Sequence, residues 1–149
     1  MRVTIPHRFP KILGHNFVKQ NQNWIDKKIK QIHQTPRIIL KGTTVEYKKH
    51  KESALKLAQA RIQHFNLHYK LSYNMIRIKN TKRIWGSCSK KGNLNFNYKI
   101  ALIPADLSDY IFVHELCHLK EFNHSKKFWD LVAENIPQYK QTRATLRKL

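Results

Sequence analysis

The residues best suited to chemistry lie together, as His114-Glu115-Leu116-Cys117-His118. Side chains four apart on a helix share a face, one turn apart. His114 and His118 can therefore reach one metal ion, while Glu115, one step around, can approach a water beside that ion without ligating it. Neutral imidazole suits zinc, and three protein ligands leave a fourth position open, as catalysis requires. His124 extends the pattern to H-E-x-x-H-x5-H. For His124 to reach the same ion, the helix must end and the chain must turn back. Phe122-Asn123 falls at that turn, and asparagine tolerates the left-handed conformation that ends helices. Ser125 suits the N-cap of the next helix. Glu134, on that following helix, is the rival third ligand, since some zinc hydrolases take a distant glutamate. By composition, H-E-x-x-H arises by accident in roughly 2 of 100 such chains, and the third histidine lowers this to about 1 in 1000, so the pattern stands above chance.

The chemistry implied is hydrolysis of an amide bond. Zinc polarises a carbonyl and acidifies water, Glu115 takes the proton and passes it to the leaving amine, and the oxyanion needs a further donor. Tyr139 is the candidate donor; its other reading is a packing tyrosine after Pro137. His64 and His68 are also four apart, but no carboxylate of matching spacing accompanies them, and they read as a polar helix edge.

These residues need elements to position them. Pro104 opens a predicted helix over roughly 104–121 that carries the motif. Leu107, Tyr110, Ile111, Phe112, Val113, Leu116 and Leu119 make it apolar on several sides, the mark of a buried central helix. Residues 51–69 form the clearest amphipathic helix, with Ala54, Leu55, Ala58, Ile62, Phe65 and Tyr69 on one stripe. Trp24, Ile25, Ile29 and Ile32 predict a helix over about 17–33. Strands are expected at 3–6, at 37–40 and over 72–80. A further strand follows the Lys90-Lys91-Gly92-Asn93 turn, where Leu94, Phe96, Tyr98 and Ile100 alternate with polar residues; its edge could accept an extended peptide. A helix follows Ser125, carrying Phe128, Trp129, Leu131 and Val132, and Pro137 starts or interrupts a last basic segment. Long helices with few strands indicate an α+β fold. A chain of 149 residues suggests one domain, 1–149.

Lys and Arg number 29 against 9 Asp and Glu, a net charge of +20. The excess covers both halves: 15 basic and 3 acidic residues over 1–75, 14 and 6 over 76–149. Such a field favours polyanions, nucleic acid among them, or serves only as a solubilising surface. The two cysteines, Cys88 and Cys117, are too few for a disulfide framework. MRVTIPHRF lacks the apolar stretch of a signal peptide, and no apolar run reaches the roughly 20 residues of a membrane span. A cytoplasmic protein is expected.

Beyond the motif, the chain resembles the YgjP-like metallopeptidase domain, a zincin group related to the SprT and WLM families. The resemblance rests on Trp85-Gly86-Ser87-Cys88-Ser89, Lys91-Gly92-Asn93-Leu94-Asn95-Phe96-Asn97, Pro104, Asp109-Tyr110, His114 to Leu119, Asn123-His124-Ser125, Phe128-Trp129 and Pro137-Gln138-Tyr139. It covers roughly 72–149, and more weakly Val3 to Pro6 and Trp24-Ile25. It implies a zincin-like fold, with a small, mostly antiparallel sheet packed on helices around a buried active-site helix. It also implies zinc on His114, His118 and His124, catalytic Glu115 and a peptide or protein substrate. Relatives that act on DNA-bound proteins suit the basic surface, by analogy only. Members usually begin with more sequence, so an N-terminal strand or two is expected to be missing. They also commonly carry arginine directly before Trp-Gly-Ser-Cys, where this chain has Ile84, with Arg83 one earlier. Cys88 and Cys117 read as small buried residues.

Two other functions compete with a metallopeptidase. One is a nucleic-acid-binding module with a structural or vestigial zinc; the other is a zinc hydrolase of non-peptide amides. Glu115 in the position of a general base argues against the first, as does the four-ligand preference of structural zinc.

Overall fold

The computed structural model describes residues 10–26 and 42–149. The strands expected at 3–6 and 37–40 lie outside these residues, as does the part of the 17–33 helix beyond residue 26. The chain divides into two units, Met1–Arg37 and Ile38–Leu149. In the first, helix α1 spans Lys11–Gln20. The chain breaks its helix at Asn21, whose side-chain amide donates to the Phe17 carbonyl at 2.8 Å, and is helical again over 22–26.

The second unit opens with α2, Thr44–Tyr69. The helix starts seven residues before the predicted start at residue 51 because Thr43 and Glu46 form a capping box, each satisfying a backbone N–H near the helix start. Lys70 ends it in the left-handed conformation. Ala54, Ala58, Ile62 and Phe65 are buried along one face, as the stripe requires.

Three strands follow: β1 Met75–Lys79, β2 Gly86–Cys88 and β3 Asn93–Asn97. Their order is β1-β3-β2. The β2–β3 pair is antiparallel, a hairpin turned at Gly92, which has a φ of +74°. β1 runs parallel to β3, Ile78 facing Phe96, so the sheet is mixed. The chain leaves β1, reverses through 80–85 and crosses to the far side of β3. This makes β3 the central strand, so the edge expected of it for peptide docking is not free. Among the described residues β2 is an outer strand instead.

The predicted strand over 93–100 also ends early. Asn97 stops it by accepting the Lys99 N–H through its side chain, at 3.2 Å, and Tyr98–Leu102 coil into a 3₁₀ helix. Tyr98 and Ile100 stay buried in that conformation, so the alternating pattern described their burial and not their backbone.

Helix α3, Ala105–Cys117, is the buried central helix: Leu107, Tyr110, Ile111, Phe112, Val113, Leu116 and Cys117 are all inside. Arg61 of α2 holds it through a two-pronged pair with Asp109, both contacts at 2.7 Å. Tyr47 and Tyr69 of α2 donate to the carbonyls of Ile78 and Leu131, at 3.1 and 2.7 Å. These bonds tie α2 to β1 and to α4, Lys126–Asn135, which Ser125 caps through the Phe128 N–H. Helix α5, Tyr139–Leu146, closes the described chain. The architecture is α+β, as expected. No described helix is long and apolar enough to cross a membrane.

Candidate metal centre and its cleft

The site grows from the end of α3. His114 lies in its last turn, and His118 is its C-cap. Backbone N–H groups of Leu119, Lys120 and Glu121 bend back onto Leu116 and Cys117, at 3.0–3.1 Å, and turn the chain. His124 then returns just ahead of the Ser125 cap. The three Nε2 atoms converge: His114 is 3.2 Å from His118 and 3.1 Å from His124. Ligands of a tetrahedral ion with Zn–N bonds of about 2.0–2.1 Å stand roughly 3.3 Å apart, so these nitrogens already approximate the edges of that figure. Among the described residues this is the one group of three or more His, Cys, Asp or Glu side chains able to hold a metal.

The surroundings keep the donors neutral and oriented. Burial pushes the His114 pKa down to about 3, helped by its two histidine neighbours and Arg143. Burial also lowers His118 and, with Arg143, His124. The His118 ring has its Nδ1 3.0 Å from the Glu121 carbonyl; that N–H donates, which leaves Nε2 as a lone-pair donor toward the centre. The Tyr110 hydroxyl lies 3.4 Å from His114 Nδ1. Phe128, fully buried, lies beneath all three imidazoles, its ring 4.5 Å from His118 and stacked on it.

Glu115 is buried, lines the same cleft as His114, and burial raises its carboxyl pKa to about 8. Its neighbour is Gly86 at the start of β2. A Cβ there would stand 2.6 Å from Glu115 Cγ and 2.7 Å from Oε1. Glycine in the Trp-Gly-Ser-Cys run is therefore what lets the strand pass the carboxylate.

Glu134, the rival ligand, is engaged elsewhere: its carboxylate meets His68 Nε2 at 2.8 Å. The same contact gives His68 a partner that its spacing did not reveal. The Tyr139 ring lies flat on Trp129, at 5.0 Å and 9°, and Trp129 stacks on His124 at 5.5 Å. The cleft of about 480 Å³ beside His114 and Glu115 is lined by other residues, among them Trp85, Tyr110 and Arg143. Sequence reasoning missed Tyr110 and Arg143. Tyr110 carried a signal, since it lies one turn before His114; Arg143 carried none. Cys117 is buried, Cys88 is half-buried, and both are free thiols.

The family described as YgjP-like, metallopeptidase domain, matches residues 46–149. Two solved structures match part of the chain, both crystal structures of metallopeptidase zymogens. Jannalysin of Methanocaldococcus jannaschii is 21% identical with a TM-score of 0.54, over 61% of this chain and 94% of that one. Abylysin of Pyrococcus abyssi is 24% identical with a TM-score of 0.47, over 64% and 90%. No curated protein matches the chain.

Proposed function

From the premise that this chain belongs to the YgjP-like metallopeptidase family, we propose that it is a zinc enzyme whose ligands are His114, His118 and His124 and whose general base is Glu115. One observation carries the reading: three Nε2 donors converge at the end of the helix that carries Glu115, a buried carboxyl lining the same cleft as His114.

Bound at these donors, zinc would supply Lewis acidity, polarising the substrate carbonyl and making water easier to deprotonate. Glu115 takes the proton of the attacking water, and its burial makes it a stronger base than an exposed carboxylate. The same carboxyl then delivers the proton to the leaving amine. Trp85 and Gly86 bring outer strand β2 to the cleft, where an extended peptide can add to its edge. Tyr110 holds the His114 ring. We assign Tyr139, which stacks on Trp129 next to His124 and lies outside the lining of the cleft, as donor to the developing oxyanion; Tyr139→Phe should lower kcat by about 100-fold and leave the metal in place.

The net charge of +20 supports a finer reading, that substrates include proteins associated with nucleic acid, met through phosphate contacts without sequence readout. Binding of labelled DNA should then weaken steeply with salt. The same charge favours the second reading, a nucleic-acid-binding module with a structural or vestigial zinc. Against it, a structural zinc takes four protein ligands, and three gather here among the described residues. Two free thiols suit a reducing compartment, and we assign the protein to the cytoplasm.

The test is metal content and hydrolysis of an unfolded protein substrate, measured together. His124→Ala should lose zinc and Glu134→Ala should keep it; the reverse would reassign the third ligand. Glu115→Gln should keep zinc and lose turnover. Full turnover by that variant would remove Glu115 from the mechanism.

A further inference from the structure

The cleft beside the proposed metal centre carries a charge the mechanism above does not use. Lys82, Arg83, Lys99, Arg143 and Arg147 line it, and Glu115 is the only acidic side chain in its lining, which also includes Leu149. Lys82 and Arg83 come from the loop between β1 and β2, Arg143 and Arg147 from α5 and its C-cap, one turn apart. Two distant stretches of chain thus converge with the same sign.

Among the described residues, Lys82, Arg83, Arg143 and Arg147 form no ion pair. The pairs that do form are Lys56–Glu52, Arg61–Asp109, His68–Glu134 and Lys126–Asp130, all elsewhere. Like charges gathered in a concave wall repel one another and focus potential into the space between them, so an anion is the ligand that relieves them. Arg143 is the best placed. Its guanidinium lies 4.8 Å over the Trp129 ring, which fixes the plane of the fork before any ligand arrives. Trp129 in turn stacks on His124, so Arg143 stands one ring away from the donors.

We propose that this cleft is a carboxylate-binding subsite, with Arg143 as the specificity residue supported by Arg147, so that the enzyme selects peptides bearing a carboxylate next to the bond it cleaves. The inference rests on reading the cleft as a peptidase site. The carboxylate has two sources, an Asp or Glu side chain or a free C-terminus. A cleft of about 480 Å³ takes one or two residues of a peptide, whereas a nucleic-acid duplex can touch only its rim.

The experiment separates binding from turnover. A fluorescent peptide with one Glu, its Gln counterpart, and both peptides with amidated C-termini are titrated onto the full chain loaded with zinc, and hydrolysis of the same peptides is followed. The peptide carrying the recognised carboxylate should bind about tenfold or more tightly than its counterpart lacking it, with the gap closing at high salt. A Glu-over-Gln preference that survives amidation would identify the side chain as the group held; equal binding of Glu and Gln peptides that falls for both on amidation would identify the C-terminal carboxylate. Arg143→Gln should abolish the preference by raising KM for the carboxylate peptide, with little change for the neutral one. Arg143→Lys, which keeps charge without the fork, should retain part of it, and a melting curve for each variant checks folding. Arg147→Gln gives a second, smaller loss. Equal binding of all four peptides overturns the proposal, as does an equal loss on carboxylate-bearing and neutral peptides in Arg143→Gln. Displacement of the Glu peptide by a short DNA duplex at lower concentration than by unlabelled Glu peptide also overturns it, in favour of phosphate. Selective binding with no hydrolysis would leave the subsite standing and remove the peptidase reading instead.

Discussion

The two sides of the cleft are built differently. The ligand side comes from one continuous stretch, His114 to Trp129, folded as the end of α3, a tight turn and the start of α4. It is held from within by Phe128. The facing wall is assembled from segments far apart in the chain: 82–86 before and within β2, Asn97 and Lys99 at the end of β3, and 143–149 at and beyond the end of α5. Its key contact is a single close approach, Gly86 against Glu115. The ligand side therefore couples chemistry to stability, because its donors rest on the core. The wall can lose its chemistry while the fold survives.

Phe128→Ala puts the first half of that contrast under the greatest load. The ring is fully buried and touches all three histidines. Its removal should cost about 3–5 kcal/mol of stability and lower zinc affinity as the imidazoles lose their floor. Phe128→Leu should recover most of both. Denaturant unfolding and metal titration on the two variants check this. Unchanged metal affinity in Phe128→Ala would show that the turn alone orients the donors.

On the wall, Gly86→Ala should do the reverse. The added Cβ meets Glu115 Cγ at 2.6 Å, and the buried carboxylate has little room to give. Hydrolysis should fall about 100-fold or more, in line with displacement of a general base, while zinc content stays near wild type. Loss of zinc together with activity would mean that the two sides are not separable.

This contrast also explains what could be read from the sequence. The ligand side was legible because its spacing is local: helical period, turn and cap follow each other within a dozen residues. The α2 stripe and the buried α3 were legible for the same reason. Long-range choices were not. Glu134 had suitable chemistry for a ligand, and only the packing of α4 against α2 sends it to His68. Nothing local distinguishes Arg143 from the other basic residues of the last helix. The 93–100 strand misled because alternation reports burial, and Asn97 changes the backbone without changing which residues are inside. The capping box at Thr43 and Glu46 was present in the sequence, but the lysine-rich turn after it has no apolar stripe to draw attention to it.

Asn97 joins β3 to the loop carrying Arg83. Its buried amide donates to the Thr81 carbonyl and hydroxyl, at 2.7 and 2.9 Å, and lies 3.2 Å from the Ile84 carbonyl. Asn97→Ala strands these acceptors and should cost about 1–3 kcal/mol. Asn97→Asp should be worse, since a carboxylate would face three acceptors without a proton to offer. Zinc content should be unaffected in both. Thermal unfolding checks the first point and metal analysis the second.

The smallest effect concerns the metal-free protein, in which the two sides titrate in opposite directions. The histidines are lowered by burial, His114 from 6.5 to about 3. Unfolding below pH 6.5 therefore takes up protons that the folded state refuses, and stability is lost as pH falls through that range. Glu115 is raised by burial from 4.5 to about 8. Its folded form keeps a proton that the unfolded chain releases, so this contribution is complete below pH 4.5 and is lost as pH rises through 8. Between pH 4.5 and 6.5 the lowered histidines oppose the raised carboxyl, and from pH 6.5 to 8 the loss from Glu115 is no longer opposed by them, so stability falls there as pH rises. Glu115→Gln should flatten the alkaline limb and steepen the acid limb between pH 4.5 and 6.5, where the carboxyl no longer opposes the histidines. Melting temperatures of chelator-treated wild type and Glu115→Gln, taken from pH about 4 to about 9, measure both limbs. An alkaline limb that survives the substitution would show that Glu115 is not the group titrating there, and that the close pass of Gly86 does not shut water away from it.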